Sequence, residues 1–163
     1  MRQAPRPASM PKPARILMRL LAAVSALVAF ATLSPERAGA QTSFVVVVNV
    51  TNPASSIGRS QLAALFTKKE QSWSDGSPAF PVDLPADDPT REAFTAAIHG
   101  KSANAIRAYW QQQIFSGRQV PPPERDSDEQ VLAYVRTTVG AVGYVRPTAR
   151  LGPNVKVLGL VAR

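Results

Sequence analysis

The stretch FVVVVNV, Phe44 to Val50, indicates the fold class of this 163-residue chain. It is a run of β-branched and other apolar residues with almost no alternation. A strand that is exposed on one face alternates apolar with polar residues, whereas a strand that is covered on both faces does not. The run therefore predicts a strand buried within a sheet that helices cover.

Four helices are predicted downstream of this strand, from apolar residues at helical spacing and from residues that favour helix ends. Asp88 and Pro89 predict a helix start, and Gly100 predicts the end of the same helix. The four segments are IGRSQLAALFTKK (57–69), begun by Gly58 or Ser60, a helix from Asp88-Pro89 to Ile98, ANAIRAYWQQQIF (103–115), capped by Ser102, and a helix capped by Ser127 that ends at Gly140.

Further strands are predicted between and after these helices. They are a short strand around Phe80 to Leu84, a strand from Ala141 to Val145, and the segment VKVLGL (155–160). Strands and helices thus alternate along the chain, which predicts an α/β fold with a mixed or parallel sheet flanked by helices.

The first forty residues have the three parts of a secretory signal. Basic residues precede the uncharged apolar run Leu20 to Leu33, and the small residues Ala38-Gly39-Ala40 follow it. The run has 14 residues, fewer than the roughly 20 that a membrane-spanning helix needs, so a permanent anchor is the weaker alternative. We expect residues 1–40 to be a signal peptide and residues 41–163 to be a single periplasmic domain without membrane insertion.

The net charge of +8 belongs largely to that signal segment. Residues 41–163 contain 13 basic and 10 acidic residues, a net charge of only +3. The basic residues are scattered and do not interleave with aromatic residues, as a surface that binds single strands would require. We therefore expect no nucleic-acid partner.

Few residues are suited to catalysis or metal binding. The chain has no cysteine and one histidine, His99, so neither a disulfide framework nor an ordinary zinc site is expected. No nucleophile elbow and no glycine-rich phosphate loop occur. We expect a protein without a cofactor, without a bound metal and without enzymatic activity.

The order of motifs resembles the phosphate-type substrate-binding proteins of bacterial ABC transporters. The similar segments are residues 45–69, Trp73, and residues 81–98 and 126–145. The family's motif positions are occupied here by Asn49, Asn52, Pro53, Leu65, Phe66, Lys68, Trp73, Gly140, Val142, Gly143 and Tyr144. The resemblance implies a single periplasmic-binding-protein-like lobe, a small anion or other small solute as ligand, and an ABC transporter or other envelope protein as partner.

This chain departs from the family where the family holds its anion. The family's helix entrance reads Arg-x-x-Gly-Ser-Gly-Thr-Arg, and Leu84 stands here at the position of the first Arg. Asp87-Asp88-Pro89 replaces Gly-Ser-Gly, which adds two carboxylates and removes one backbone N–H. A carboxylate about 4 Å from a phosphate costs on the order of 1 to 4 kcal/mol for each charge pair, so this entrance disfavours a dianion.

Six residues are candidates for ligand binding, each with an alternative. Asp87 and Asp88 either cap a helix or bind a cationic group, and Thr90 and Arg91 either contact an anion or lie on the surface of the first turn. Hydroxyls at the carboxyl end of the first strand either meet a ligand or belong to an ordinary turn. The candidates are Ser55, Ser56, Asp87, Asp88, Thr90 and Arg91.

Two functions follow from this sequence. The first is a non-catalytic periplasmic binding module that resembles the phosphate-binding component of an ABC uptake transporter. The alternative is an envelope protein-interaction module that has lost solute binding and docks another envelope protein, or itself, through its cleft face. Exposed apolar surface on that face would favour the alternative.

Overall fold

The strand predicted from FVVVVNV lies at the centre of a five-stranded mixed sheet. The computed structural model describes residues 44–162. The elements are β1 (Val45–Asn49), β2 (Ser56–Gly58), α1 (Arg59–Phe66), β3 (Phe80–Pro81), α2 (Pro89–His99), α3 (Ala103–Phe115), α4 (Asp128–Thr137), β4 (Ala141–Val145) and β5 (Val155–Val161). The predicted α/β class is confirmed.

The strand order is β2-β5-β1-β4-β3. β1 runs antiparallel to both of its neighbours, whereas β2 is parallel to β5 and β3 is parallel to β4. Four strands therefore share one direction and β1 has the opposite one. As a result, the carboxyl end of β1 lies at the same end of the sheet as the amino ends of β4 and β5. The short strand β2 pairs with the carboxyl half of β5, where Ser56 is opposite Gly159.

Helices cover both faces of the central strands. Tyr144 of β4 stacks on Phe94 of α2 with ring centroids 3.8 Å apart, and Phe66 of α1 packs beside them. The preceding residue in β4, Gly143, faces the opposite side, where Val131 and Val135 of α4 pack against it. Neighbouring residues of a strand point to opposite faces, so β1 and β4 are enclosed, as the sequence pattern predicted.

The helix ends follow the capping residues that the sequence offers. The side chain of Ser102 accepts a hydrogen bond from the N–H of Ala105 at the start of α3. Ser127 accepts from the N–H of Gln130 at the start of α4. Gly100 ends α2 in the left-handed region with a φ of 63°, where glycine carries no Cβ penalty.

Three boundaries differ from the sequence prediction. β3 pairs with β4 only over Phe80–Pro81, because the chain then turns to a second partner and forms a parallel bridge between Asp83 and Glu124. α4 ends at Thr137 and not at Gly140, which instead has a φ of 82° in the turn before β4. α1 follows Gly58, one of the two residues predicted to begin it, but it ends at Phe66 and not at Lys69.

Among residues 44–162, no helix has the length and the apolar character needed to cross a membrane. The predicted signal peptide and its cleavage site lie outside the described residues.

Gly143→Ala tests the enclosure of the central strands. A Cβ there would lie 2.8 Å from Val131 Cγ1 and 2.9 Å from Val82 Cγ1. We expect this overpacking to lower the free energy of unfolding by about 1 to 3 kcal/mol in urea denaturation. Gly159→Ala is the matched control, because its Cβ would meet its nearest neighbour, the Ser55 carbonyl oxygen, at 3.3 Å. Equal losses in the two variants would contradict the packing described for β4.

Candidate functional site

The helix entrance, defined as residues 84–91, connects the region after β3 to the first turn of α2. Asp88 caps the helix, since its Oδ1 accepts a hydrogen bond from the Thr90 N–H at 2.6 Å. Pro89 occupies the first helical position, where its missing N–H costs nothing. Asp87 is exposed. The structure therefore gives Asp88 a capping role and leaves the Asp87 carboxylate facing solvent.

Arg91 does not lie on the surface of the first turn. Its side chain is only 4% exposed, and Nη2 lies 3.0 Å from Asp83 Oδ2. Nη1 lies 3.0 Å from Glu124 Oε1 and also donates to the Leu84 carbonyl. Thr90 is buried as well, so the surface alternative is wrong for both residues. The guanidinium that matches the family motif is thus held by two carboxylates of its own chain.

Asp83 is the buried centre of this arrangement. Its carboxylate accepts hydrogen bonds from the Leu84 N–H and from the Tyr144 hydroxyl, besides its ion pair with Arg91. Burial raises the pKa of Asp83 to about 6, although the Arg91 charge, the Tyr144 hydroxyl and the Leu84 N–H each oppose the rise. Asp83 is therefore mostly ionised at neutral pH, although its pKa lies only a little below 7.

Tyr144 joins this cluster to the aromatic core. Burial raises the pKa of its hydroxyl, and the neighbouring Asp83 charge raises the pKa further. The hydroxyl therefore stays protonated and serves as a hydrogen-bond donor to Asp83. The ring packs on Phe94, so the polar cluster and the core fix each other's position.

Acidic groups outnumber basic groups around the helix entrance. Asp83 and Glu124 both contact Arg91. Asp87 and Asp88 precede Arg91 by a few residues in the chain. When all are ionised, this set carries a net charge of −3. A phosphate dianion would meet an excess of negative charge here.

A second ion pair lies near the same place. Arg146 Nε is 2.7 Å from Asp128 Oδ2. The hydrogen bond and charge of Asp128 raise the pKa of Arg146, with a smaller contribution from the charge of Asp88. Asp88 thus lies within electrostatic reach of Arg146, but that guanidinium already has an internal partner.

Ser55 and Ser56 lie at a different place from the helix entrance. They follow β1 and begin β2, an edge strand, whereas the entrance follows β3 at the other edge. Both groups lie toward the carboxyl ends of the strands they adjoin, since Ser56 pairs with Gly159 near the end of β5 and the chain after Pro81 runs on along β4. They are nevertheless far apart, because β2 and β3 are the two edges of the sheet with three strands between them. The described structure therefore does not bring the six candidate residues into one rim.

Ser56 borders a cavity of about 250 Å³. Trp73 and Ile57 contribute apolar surface to it, and Asp75 contributes a carboxylate. The indole Nε1 of Trp73 donates to the Gly140 carbonyl at 2.9 Å, so its polar atom is already used. The cavity is thus mainly apolar, and the polar side chains Asn52, Gln61 and Ser74 complete its wall without a basic group.

No group of three or more His, Asp or Glu side chains within residues 44–162 is arranged to hold a metal ion. The carboxylates closest to such a role, Asp83 and Glu124, are paired with Arg91.

Sequence reasoning missed the partners of Arg91. Asp83 stands alone between the apolar residues Val82 and Leu84. A charged residue inside a buried strand needs a partner, and this was the available signal. Glu124 had no such signal, because it lies in a loop and reaches Arg91 only through its parallel bridge to Asp83.

Arg91→Met tests the role of the guanidinium. The variant leaves Asp83 buried with only neutral donors, so we expect the free energy of unfolding to fall by about 3 kcal/mol at neutral pH. Glu124→Gln is the control, because it removes a carboxylate from the same guanidinium at a half-exposed position. That variant should cost less than about 1 kcal/mol. Similar losses in both, measured by urea denaturation, would contradict a buried centre at Asp83.

The pH dependence of stability tests Asp83 directly. Burial raises its pKa from 3.8 to about 6, so between these values the folded protein binds the proton more tightly than the unfolded chain. Its contribution to stability is complete below about pH 4 and is lost as the pH rises through about 6. Relative to Asp83→Asn, the wild type should lose about 2 kcal/mol between pH 4 and pH 7. A difference that stays constant with pH would show that Asp83 keeps an ordinary pKa.

Comparisons with known proteins find solved structures with a similar fold. No protein-family model and no curated protein matches the sequence. A protein assigned as a phosphate ABC transporter substrate-binding protein, with phosphate bound, from Clostridium perfringens matches with a TM-score of 0.57 and 16% identity over 72% of this chain and 44% of that chain. An ABC-type phosphate transport receptor from Vibrio cholerae matches with a TM-score of 0.57 and 18% identity over 72% of this chain and 46% of that chain.

This chain spans less than half the length of those two proteins. At such low identity the likeness concerns the fold, and the ligand named for a neighbour remains a property of that neighbour. The resemblance inferred from the order of motifs is confirmed at the level of the fold. The described part of the chain is a mixed α/β domain with the fold of one lobe of the phosphate-type substrate-binding proteins.

Proposed function

We propose that this protein is a periplasmic, non-catalytic binding module whose helix entrance does not take inorganic phosphate. The likeness of its fold to phosphate transport receptors supports a binding role. An ABC transporter or another envelope protein is its proposed partner. The observation that carries the proposal is the pairing of Arg91 with Asp83 and Glu124.

The charges at the entrance determine which charge of solute it favours. A phosphate oxygen that approached Arg91 would compete with two carboxylates already at 3.0 Å. Each additional like-charge contact at about 4 Å costs on the order of 1 to 4 kcal/mol. Asp87 and Asp88 add two such contacts. The solute proposed for this entrance is therefore neutral or cationic, contacting Asp87 and Asp88 at the rim with Thr90 and Arg91 as buried support.

Ser55 and Ser56 form a second proposed place of ligand contact, separate from the helix entrance. Their surroundings, which include the largely apolar cavity beside Ser56 and Trp73, suit an apolar group with a hydrogen-bonding edge. This place and the helix entrance are proposed to act independently, because they lie at opposite edges of the sheet.

Asp87→Gly combined with Asp88→Ser tests the exclusion of phosphate. Serine keeps an acceptable helix cap, so the fold should survive while two negative charges disappear. We expect phosphate to leave the wild-type melting temperature unchanged at constant ionic strength and to raise that of the variant. A ligand that binds only the folded state stabilises it by RT ln(1 + [L]/Kd), about 2.7 kcal/mol at a hundredfold excess over Kd.

The control variant is Glu70→Gln with Asp75→Asn, which removes two exposed acids outside the entrance and gives the same net charge. Stabilisation of the wild type by phosphate would overturn the proposal. Equal stabilisation of both variants would show that overall charge, and not the entrance, governs the response.

An interaction module is the second candidate, because large apolar side chains are exposed at the carboxyl end of α3. Phe115 is 90% exposed, Val120 is 64% exposed and Ile114 is 50% exposed. Exposed apolar patches mark interaction sites more often than isolated apolar residues do. Light scattering of the purified protein over a range of concentrations tests self-association. Phe115→Ser should shift any oligomer toward monomer, while Val139→Ser, which changes another exposed apolar residue, should not.

A further inference from the structure

A cavity of about 340 Å³ lies where α1, α2 and α3 meet. Its walls come from Ala63 and Thr67 near the end of α1, His99 at the end of α2, and Ile106 and Tyr109 of α3. Arg91, the last residue of the helix entrance, lies seven positions before Ile98 of the cavity on α2, or about 10 Å along the helix axis. The cavity is therefore distinct from both places considered above.

The ionisable lining groups of this cavity are basic or phenolic. Lys69 and Lys101 are exposed at its rim, and the imidazole of His99 lies between them and the interior. No aspartate or glutamate lines the cavity. The negative ends of α1 and α2 also point toward it, each equivalent to roughly half a charge. Two lysines against two such ends leave an excess of about one positive charge.

The floor of the cavity is apolar. Ile98 and Ile106 are buried and the ring of Tyr109 is partly buried. The Tyr109 hydroxyl donates to the Thr67 carbonyl at 3.4 Å, which turns its polar edge toward α1. A ligand there would meet apolar surface at one end and ammonium groups at the other. The volume is at the small end of the range of ligand pockets.

We propose that this cavity binds a small organic monocarboxylate with an apolar body. The carboxylate pairs with Lys69 and Lys101 at the rim, and the apolar part lies on Ile98, Ile106 and Tyr109. A single negative charge matches the excess of one positive charge, whereas a phosphate dianion would exceed it and would leave the apolar floor uncovered. This site goes beyond the proposed function, since it depends neither on the helix entrance nor on the exclusion of phosphate there.

His99 is a reporter of this site because it is the only histidine of the chain. Burial, together with the positive charges of Arg91, Lys101 and Lys69, lowers its pKa to about 4. The imidazole is therefore neutral at neutral pH. A carboxylate bound between the lysines would raise the pKa of His99 by offsetting their charge.

The test is an NMR titration of protein produced from the full-length chain, with benzoate as the probe and benzamide as its neutral counterpart of the same shape. At neutral pH we expect benzoate to shift the His99 imidazole signal and the Ile98 and Ile106 methyl signals saturably, and to raise the pKa of His99. Benzamide should bind at least tenfold more weakly, since it lacks the charge. No saturable shift with about 20 mM benzoate, well above a millimolar Kd, would overturn the proposal.

Lys69→Met with Lys101→Met removes both rim charges at exposed positions, so the variant should keep its fold and its far-ultraviolet circular dichroism. We expect it to bind benzoate at least tenfold more weakly. Arg107→Met is the control, because Arg107 is an exposed residue of α3 outside the cavity lining, and it should keep wild-type affinity. If the lysine variant binds as the wild type does, the lysines only complement the helix ends and the proposal fails. Phosphate titrated in parallel tests the helix entrance. Binding of phosphate would contradict the proposed exclusion at the entrance, whereas the absence of benzoate binding would contradict the proposed cavity site.

Discussion

The enclosure of β1 on both edges and both faces is the constraint on which this fold depends. β1 pairs with β4 and β5 at its two edges, while α4 packs on one side of the central strands and α1 and α2 on the other. Side chains of a strand in this position must be apolar or have an internal partner. Val46, Val47 and Val48 are accordingly buried, and the buried Asn49 donates a hydrogen bond to the Val135 carbonyl. The strand order around β1 also places β2 and β3 at opposite edges, which separates Ser55 and Ser56 from the helix entrance.

The helix entrance shows how internal partners can occupy a position that holds a ligand in related folds. Arg91 is too deeply buried to remain without a counter-charge, because an unpaired buried charge is costly. Asp83 and Glu124 supply that counter-charge within the chain. Such a pair does not by itself add stability, since burying each charge offsets much of their attraction. Its effect is to hold α2, the region after β3 and the loop of Glu124 in one arrangement.

The sequence predicted the elements of the fold more fully than it predicted the site. Helix starts at Asp88, Ser102 and Ser127 depend on local capping chemistry, so they could be predicted from neighbouring residues. The separation of Ser55 from Asp87 could not, because it depends on the order in which strands that are distant in sequence join the sheet. The contact between Arg91 and Glu124 spans 33 positions and follows from a bridge that no local pattern indicates.

The two ends of α2 have opposite electrostatic character, and each suits the helix. Asp88 and Glu92 lie near its positive amino end, where their charges complement the macrodipole. His99, which is neutral, and the exposed Lys101 lie at its negative carboxyl end. A glycine-rich entrance with free N–H groups would bind an anion better but would give up the cap and the fixed φ of Pro89. In this chain the amino end of α2 is therefore stabilised by its own acids. The basic groups are left at the carboxyl end, where a cavity with an apolar floor lies beside them.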